Sequence, residues 1–143
     1  MEKEFDIDRE KIITYYMWQG LLPCVPLVLL FGVGLIFAGI HYAIARLYYP
    51  RWVKVLRYCL DDKSLRVESG LLFRSRKTIP LDKITDLELV QGPLLRHFGM
   101  WTIKVQTAST ASQLPEATLL GLVNPDQARE EILTAKTAFL KSS

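Results

Sequence analysis

The sequence predicts an α+β membrane protein: an N-terminal transmembrane helical segment, as a hairpin or a single span, then a small β-barrel or sandwich of six or seven strands capped by a C-terminal amphipathic helix. Three observations predict it. From Ile12 to Ala45 the chain runs 34 residues without Asp, Glu, Lys or Arg, and a helix needs about 20 predominantly apolar residues to cross a bilayer. From Trp52 onward the hydrophobic period shortens to that of strands. After Asn124 the apolar residues return to helical spacing behind a start signal.

Residues 1–11 form an acidic segment with five acids against three bases. A secretory signal would open with basic residues and hold an apolar core of only about 7–15 residues, so the apolar run is expected to stay in the mature chain. Residues 12–49 are the expected membrane segment. Its centre, Leu21 to Ala38, has no polar side chain other than Cys24. As one helix, the 38 residues from Ile12 to Tyr49 would reach roughly 57 Å against a hydrocarbon core of about 30 Å. The residues admit two arrangements. A hairpin would turn near Phe31–Gly34, where two glycines relax the backbone. A single span would run from about Leu22 to Ala45 behind an interfacial stretch containing Trp18. Trp18, Tyr48, Tyr49 and Trp52 are the expected interface anchors, with Arg46 reaching outward. His41 is the one imidazole in the run; with no acid nearby in sequence, it reads as a neutral side chain near the interface or between helices.

Positive charge follows directly after the apolar run. Arg46, Arg51, Lys54 and Arg57 fall within twelve residues, and residues 51–104 hold eleven Lys/Arg against six Asp/Glu. The positive-inside rule puts that side in the cytosol. The remaining 93 residues, 51–143, suffice for one small domain. Strands are expected at Val53–Leu60, Leu65–Ser69, Leu71–Ile79, Ile84–Val90, Trp101–Thr107 and around Thr118–Leu122. Asp61-Asp62-Lys63 and Gly70 are the turns between the first three. Pro80 closes the third strand. Leu94–Phe98 reads as a helical turn ended by Gly99, and Ala108–Pro115 as a polar loop. For the last helix, Asn124 suits the cap and Pro125 the first position. Ala128, Ile132, Ala135 and Phe139 make one apolar stripe, which must cover another layer. Cys24 and Cys59 are not expected to meet; a reducing compartment fits.

The phrases Leu72-Phe73-Arg74, Thr78-Ile79-Pro80-Leu81-Asp82-Lys83-Ile84 and Gln91-Gly92-Pro93 through Arg96, Phe98, Gly99 and Trp101 carry a resemblance. In this order and spacing the chain resembles the bacterial pleckstrin-homology (PH)-like domains of the YdbS-like family over most of residues 51–135. The resemblance implies a PH-like domain behind a hydrophobic segment often predicted as two spans, which favours the hairpin. Ser109 stands where such proteins often have glycine.

The residues carry little that points to catalysis. There is no nucleophile elbow, phosphate loop, dinucleotide fingerprint or HExxH, so no catalytic residue, no metal and no cofactor is expected. Asp61-Asp62 beside Lys63 reads as a turn rather than a carboxylate pair. Basic positions are the better lead: Arg51, Lys54, Arg57, Arg74, Arg76 and Lys77 are the candidates for lipid or partner binding, with Arg74 and Arg76 on one strand face and Lys77 on the other. Each basic residue near an anionic leaflet contributes about 1 kcal/mol. The expected partners are membrane lipids and a protein partner or second copy. Nucleic acid is excluded, since no aromatic–basic platform accompanies the modest charge. The expectation is a non-catalytic binding module at the bacterial inner membrane, its domain facing the cytosol; the alternative is a small membrane-associated enzyme.

Overall fold

The computed structural model describes residues 2–26, 34–108 and 115–142. In chain order its elements are β1 (Lys3–Glu4), α1 (Arg9–Leu21), α2 (Gly34–Val55), β2 (Arg57–Leu60), β3 (Ser64–Ser69), β4 (Ser75–Pro80), a 3-10 turn (Leu81–Lys83), β5 (Ile84–Val90), α3 (Pro93–His97), β6 (Thr102–Thr107), β7 (Ala117–Leu120) and α4 (Pro125–Ser142). The strands form two antiparallel sheets, β1-β2-β3-β4 and β5-β6-β7. Register places Tyr58 opposite Val67 and Leu65 opposite Ile79 in the first sheet. In the second, Leu87 faces Val105 and Ile103 faces Leu119. These alternating apolar residues, together with Leu81 and Ile84 at the crossing between sheets, form one core, as the period of two along a strand requires.

α4 closes that core. Ala128 and Ile132 are buried, and Leu133, Ala135 and Phe139 pack at its edge. The Ala128 N–H donates to the Asn124 carbonyl at 3.0 Å, and the Arg129 guanidinium donates to the Leu87 carbonyl at 3.1 Å. The helix therefore ties to the sheet by a polar contact as well as by its stripe.

Residues 2–8 act as a strap between the sheets. β1 pairs with β2, the Phe5 N–H donates to the Tyr58 carbonyl at 2.8 Å, and the Asp8 N–H donates to the Gly121 carbonyl at 2.8 Å. Ile7 bridges Leu122. One run of backbone thus completes an edge of the first sheet and holds the end of the second, which satisfies backbone groups that would otherwise be orphaned. Its acids neutralise domain cations: Glu2 meets Arg66 at 2.9 Å and Glu4 meets Arg57 at 3.9 Å. Both pairs are exposed and contribute little stability.

Asp8 then caps α1, its carboxylate accepting from the Lys11 N–H at 3.1 Å. Partial burial pushes this carboxyl upward, but bonds from the Lys11 side chain and backbone outweigh it and hold the group below the ordinary carboxylate value. A carboxyl lowered by folding stabilises above the unfolded value, and the effect fades as pH falls through the folded one. Asp8→Ala is expected to cost about 1 kcal/mol at neutral pH. Asp8→Asn keeps the cap but removes this group's share of the acid destabilisation, which urea titrations at neutral and acid pH would separate.

The transmembrane part of the expected fold is corrected by this structure. Among the described residues no helix is long and apolar enough to cross a membrane. α1 has 13 residues, about 20 Å, and opens with Arg9, Glu10 and Lys11. α2 has 22, but Arg46, Arg51 and Lys54 break its apolar run after Ala45. Moreover β1 precedes both helices, an order that does not match an N-terminal span. The physical reason lies in Ile12 and Val53, both fully buried in the core of the β-domain: the ends of the helical region belong to that core. The turn expected near Phe31–Gly34 lies outside the described residues except for Gly34, and so does most of the Ala108–Pro115 loop.

Two strand boundaries also differ. Val53–Leu60 divides, with helix through Val55 and strand from Arg57, because Val53 and Leu56 meet the core at helical spacing. Leu71–Ile79 begins as strand only at Ser75, leaving Leu72 and Phe73 in an exposed loop.

Candidate functional site

α1 and α2 lie side by side and antiparallel: Gly20 adjoins His41, and Tyr16 adjoins Tyr49 and Trp52. At Gly20 a methyl group would overlap the His41 ring, so the absence of a side chain admits the imidazole between the helices. Among the described residues His41 Nε2 is buried there without a hydrogen-bond partner. At the base of the pair an aromatic cluster gathers around Tyr16, with ring centroids 5.3 Å from Tyr15, 5.5 Å from Tyr49 and 5.3 Å from Trp52. These are edge-to-face and tilted geometries that aromatic quadrupoles favour. Burial, and then the neighbouring Tyr15 and Tyr49, push the Tyr16 hydroxyl above its ordinary value.

The outer surface of this pair is apolar. Leu35, Ile36, Phe37, Ile40, Ile44 and Leu47 of α2 are exposed, as are Trp18 and Leu22 on the other arm. Ile36, Ile40, Ile44 and Leu47 recur at helical spacing, so they form a continuous ridge. Large contiguous apolar surface mark a site of association with another apolar body.

The basic candidates are spread around the foot of this ridge. Arg46, Arg51 and Lys54 are exposed on the last turns of α2, with the Arg51 guanidinium donating to the Leu47 carbonyl at 2.7 Å. Arg57 opens β2 beside Glu4. Arg74 precedes β4 and is exposed. Arg76 is held by Glu68 at 2.7 Å. Lys77 projects to the other side of the strand, where its ammonium donates to the Glu116 carbonyl at 2.7 Å. Arg46, Lys54 and Arg74 form no ion pair among the described residues. Of the expected interface anchors, Trp18 is exposed, whereas Tyr48, Tyr49 and Trp52 are half-buried, the last two against Tyr16.

Between the sheets and the helical base opens a cleft of about 540 Å³ lined by Tyr16, Trp52, Tyr58, Lys77, Lys104 and Thr118 among others. Sequence reasoning did not assemble it. Lys104 was visible only as the polar partner of an alternating strand, and Tyr58 as one residue of a strand. Nothing local in the chain shows that β2, β6 and α1 converge.

Among the described residues no three His, Cys, Asp or Glu side chains are grouped to hold a metal ion. Both cysteines are free. At Cys59 partial burial, then the Glu4, Glu2 and Glu68 carboxylates, push the thiol above its ordinary value, which disfavours the reactive thiolate.

Two antiparallel sheets closed by α4 and strapped by residues 2–8 define a small α+β domain. Residues 18–136 match the bacterial PH domain, and the chain belongs to that family. The match starts near the end of α1, at Trp18, so α2 lies within the matched region along with β2 to β7. The chain is similar to the UPF0699 transmembrane protein YdbS of Bacillus subtilis (strain 168), with 29% identity over 79 residues, covering 55% of this chain and 48% of that protein. It therefore spans about half the length of that relative, and the YdbS-like resemblance holds. No solved structure matches.

Proposed function

We propose that this chain is a non-catalytic, membrane-associated PH-like binding module of the bacterial inner membrane, its β-domain on the cytosolic side. The observation that carries the reading is the apolar ridge of α2 with basic residues at its foot. Burying apolar surface contributes roughly 25 cal/mol per Å², and Arg46, Arg51 and Lys54 stand where the ridge ends, at headgroup level for a ridge seated in lipid. The transmembrane relative supports a membrane location. The helical pair acts as the foot, and the β-domain with its cleft is held above it to receive lipid heads or a protein partner.

Flotation of the purified full chain with vesicles of equal parts phosphatidylglycerol and phosphatidylcholine tests this reading. The wild type is expected to float. Ile36→Ser combined with Ile40→Ser and Ile44→Ser is expected to weaken binding at least about tenfold, since each isoleucine contributes about 1.5–3 kcal/mol when fully buried. If the wild type instead stays in the aqueous fraction as a discrete oligomer, the ridge is a contact between copies of the chain and the membrane reading fails.

A further inference from the structure

We infer that the β3–β4 tip is a second point of membrane contact, in which Leu72 and Phe73 enter the interfacial layer of an anionic bilayer beside the helical foot. The inference deepens the membrane reading, since it needs a surface already docked by α2.

Leu72 is 79% exposed and Phe73 90%. A soluble turn has no reason to present two large apolar side chains in this way; turn positions favour Gly, Asn, Asp and Ser. The hairpin that carries them is well held, with six register pairs from Ser64–Pro80 to Ser69–Ser75. The base of the tip is therefore held by strand pairing up to Ser69 and Ser75.

Its position ties it to the foot. Ser69 and Ser75, which close the tip, line the same cleft as Tyr15, Tyr16, Gln19 and Trp52 at the helical base. The tip and the helical pair thus flank one cleft mouth. Apolar side chains beside aromatic residues suit the headgroup boundary, where aromatic rings concentrate.

Charge selects the occupant. Arg74 directly follows the apolar pair and has no ion-pair partner among the described residues. Arg76 stands two residues on, its side chain still largely exposed despite Glu68. Two apolar residues followed by arginine are too small a patch for a stable protein interface, which buries about 800 Å² per partner. They fit a compliant apolar layer under anionic heads, where each arginine adds about 1 kcal/mol. Lys77, inside the cleft mouth, would lie above the same headgroups.

The test places an environment-sensitive fluorophore, NBD, at the tip. Phe73→Cys is made in a Cys24→Ser, Cys59→Ser background and labelled. Lys63→Cys, at the opposite end of the same strands, is the control. With the phosphatidylglycerol–phosphatidylcholine vesicles, emission from position 73 is expected to shift to the blue and to be quenched by brominated acyl chains, while position 63 stays water-like. Leu72→Ser with Phe73→Ser, in the unlabelled chain, is expected to weaken binding about tenfold, the equivalent of burying one large side chain. Protein that floats with a water-like probe at position 73 overturns the inference and leaves the membrane reading standing. Protein that does not float overturns the membrane reading and the inference with it. A blue-shifted probe in buffer alone, accompanied by self-association, overturns the inference in favour of a contact between copies.

Discussion

Replacing Tyr58 by alanine is expected to remove about 3–5 kcal/mol of stability, as truncation of a buried aromatic does, and Tyr58→Phe about 1–3 kcal/mol. Tyr58 is 1% exposed, and its hydroxyl has two bonds to one residue. It donates to the Leu120 carbonyl at 3.2 Å and accepts from the Leu120 N–H at 3.0 Å. Leu120 ends β7, so this hydroxyl joins the two sheets where their strands do not pair. Burial, only partly opposed by the Leu120 bond, pushes the Tyr58 hydroxyl far above its ordinary value, so it remains a donor throughout the physiological range. Phenylalanine would keep the ring and its packing while leaving a buried N–H and a buried carbonyl without partners, and that loss sets the smaller figure. Urea midpoints of the two variants separate the contributions of ring and hydroxyl. Hydrogen exchange at the Leu120 amide gives a local reading: it should speed up in Tyr58→Phe beyond what the global change explains. A Phe variant with unchanged midpoint and unchanged Leu120 exchange would show that the hydroxyl bridge adds nothing.

Tyr58 also shows where sequence reading stops. Its strand was legible from alternation, and its burial follows from that alternation. That its hydroxyl reaches a backbone 62 residues away is a consequence of how two sheets cross, and no periodicity encodes it. The same division runs through the rest of the molecule. The closing helix could be read from its own residues, because Asn124, Pro125 and the Ala128–Ile132 stripe are local signals. β1 could not, because two residues, Lys3 and Glu4, form a strand only when β2 offers an edge. The uncharged run from Ile12 to Ala45 misled for a related reason. Hydropathy reports what a segment avoids, and it treats the run as one object. The structure places described parts of it in α1 and α2 and draws Ile12, at its start, into the core of the β-domain. The foot was visible as an apolar run; the β3–β4 tip was hidden, since Leu71–Phe73 carries the apolar character of a strand without strand pairing.

Gly121→Ala is expected to cost about 3 kcal/mol, against about 1 kcal/mol for Gly99→Ala, and the comparison isolates one contact of the N-terminal strap. Both glycines adopt positive φ, 77° and 62°, where an L side chain costs roughly 1–2 kcal/mol. They differ in surroundings. A methyl at Gly99 would meet nothing within 4 Å, whereas one at Gly121 would overlap the Ile12 side chain. Ile12 has no room to retreat: it is fully buried on the first turn of α1, whose preceding residue Asp8 donates its N–H to the Gly121 carbonyl. The added methyl must therefore push α1 away from β7 or break that backbone bond. Overpacking of this kind costs typically 1–3 kcal/mol beyond the conformational strain. The two positions should be strongly coupled. Ile12→Ala alone leaves a cavity costing about 2–5 kcal/mol, but in the Gly121→Ala background the new methyl occupies part of it. The double variant should be more stable than the sum of the single losses predicts by about 1 kcal/mol or more, within the range seen for residues in contact. Urea denaturation of the four proteins in mild detergent measures this cycle. Strict additivity would mean that Ile12 does not pack against Gly121, and would leave the Asp8–Gly121 backbone bond and the Ile7–Leu122 bridge as what holds the start of α1 to the second sheet.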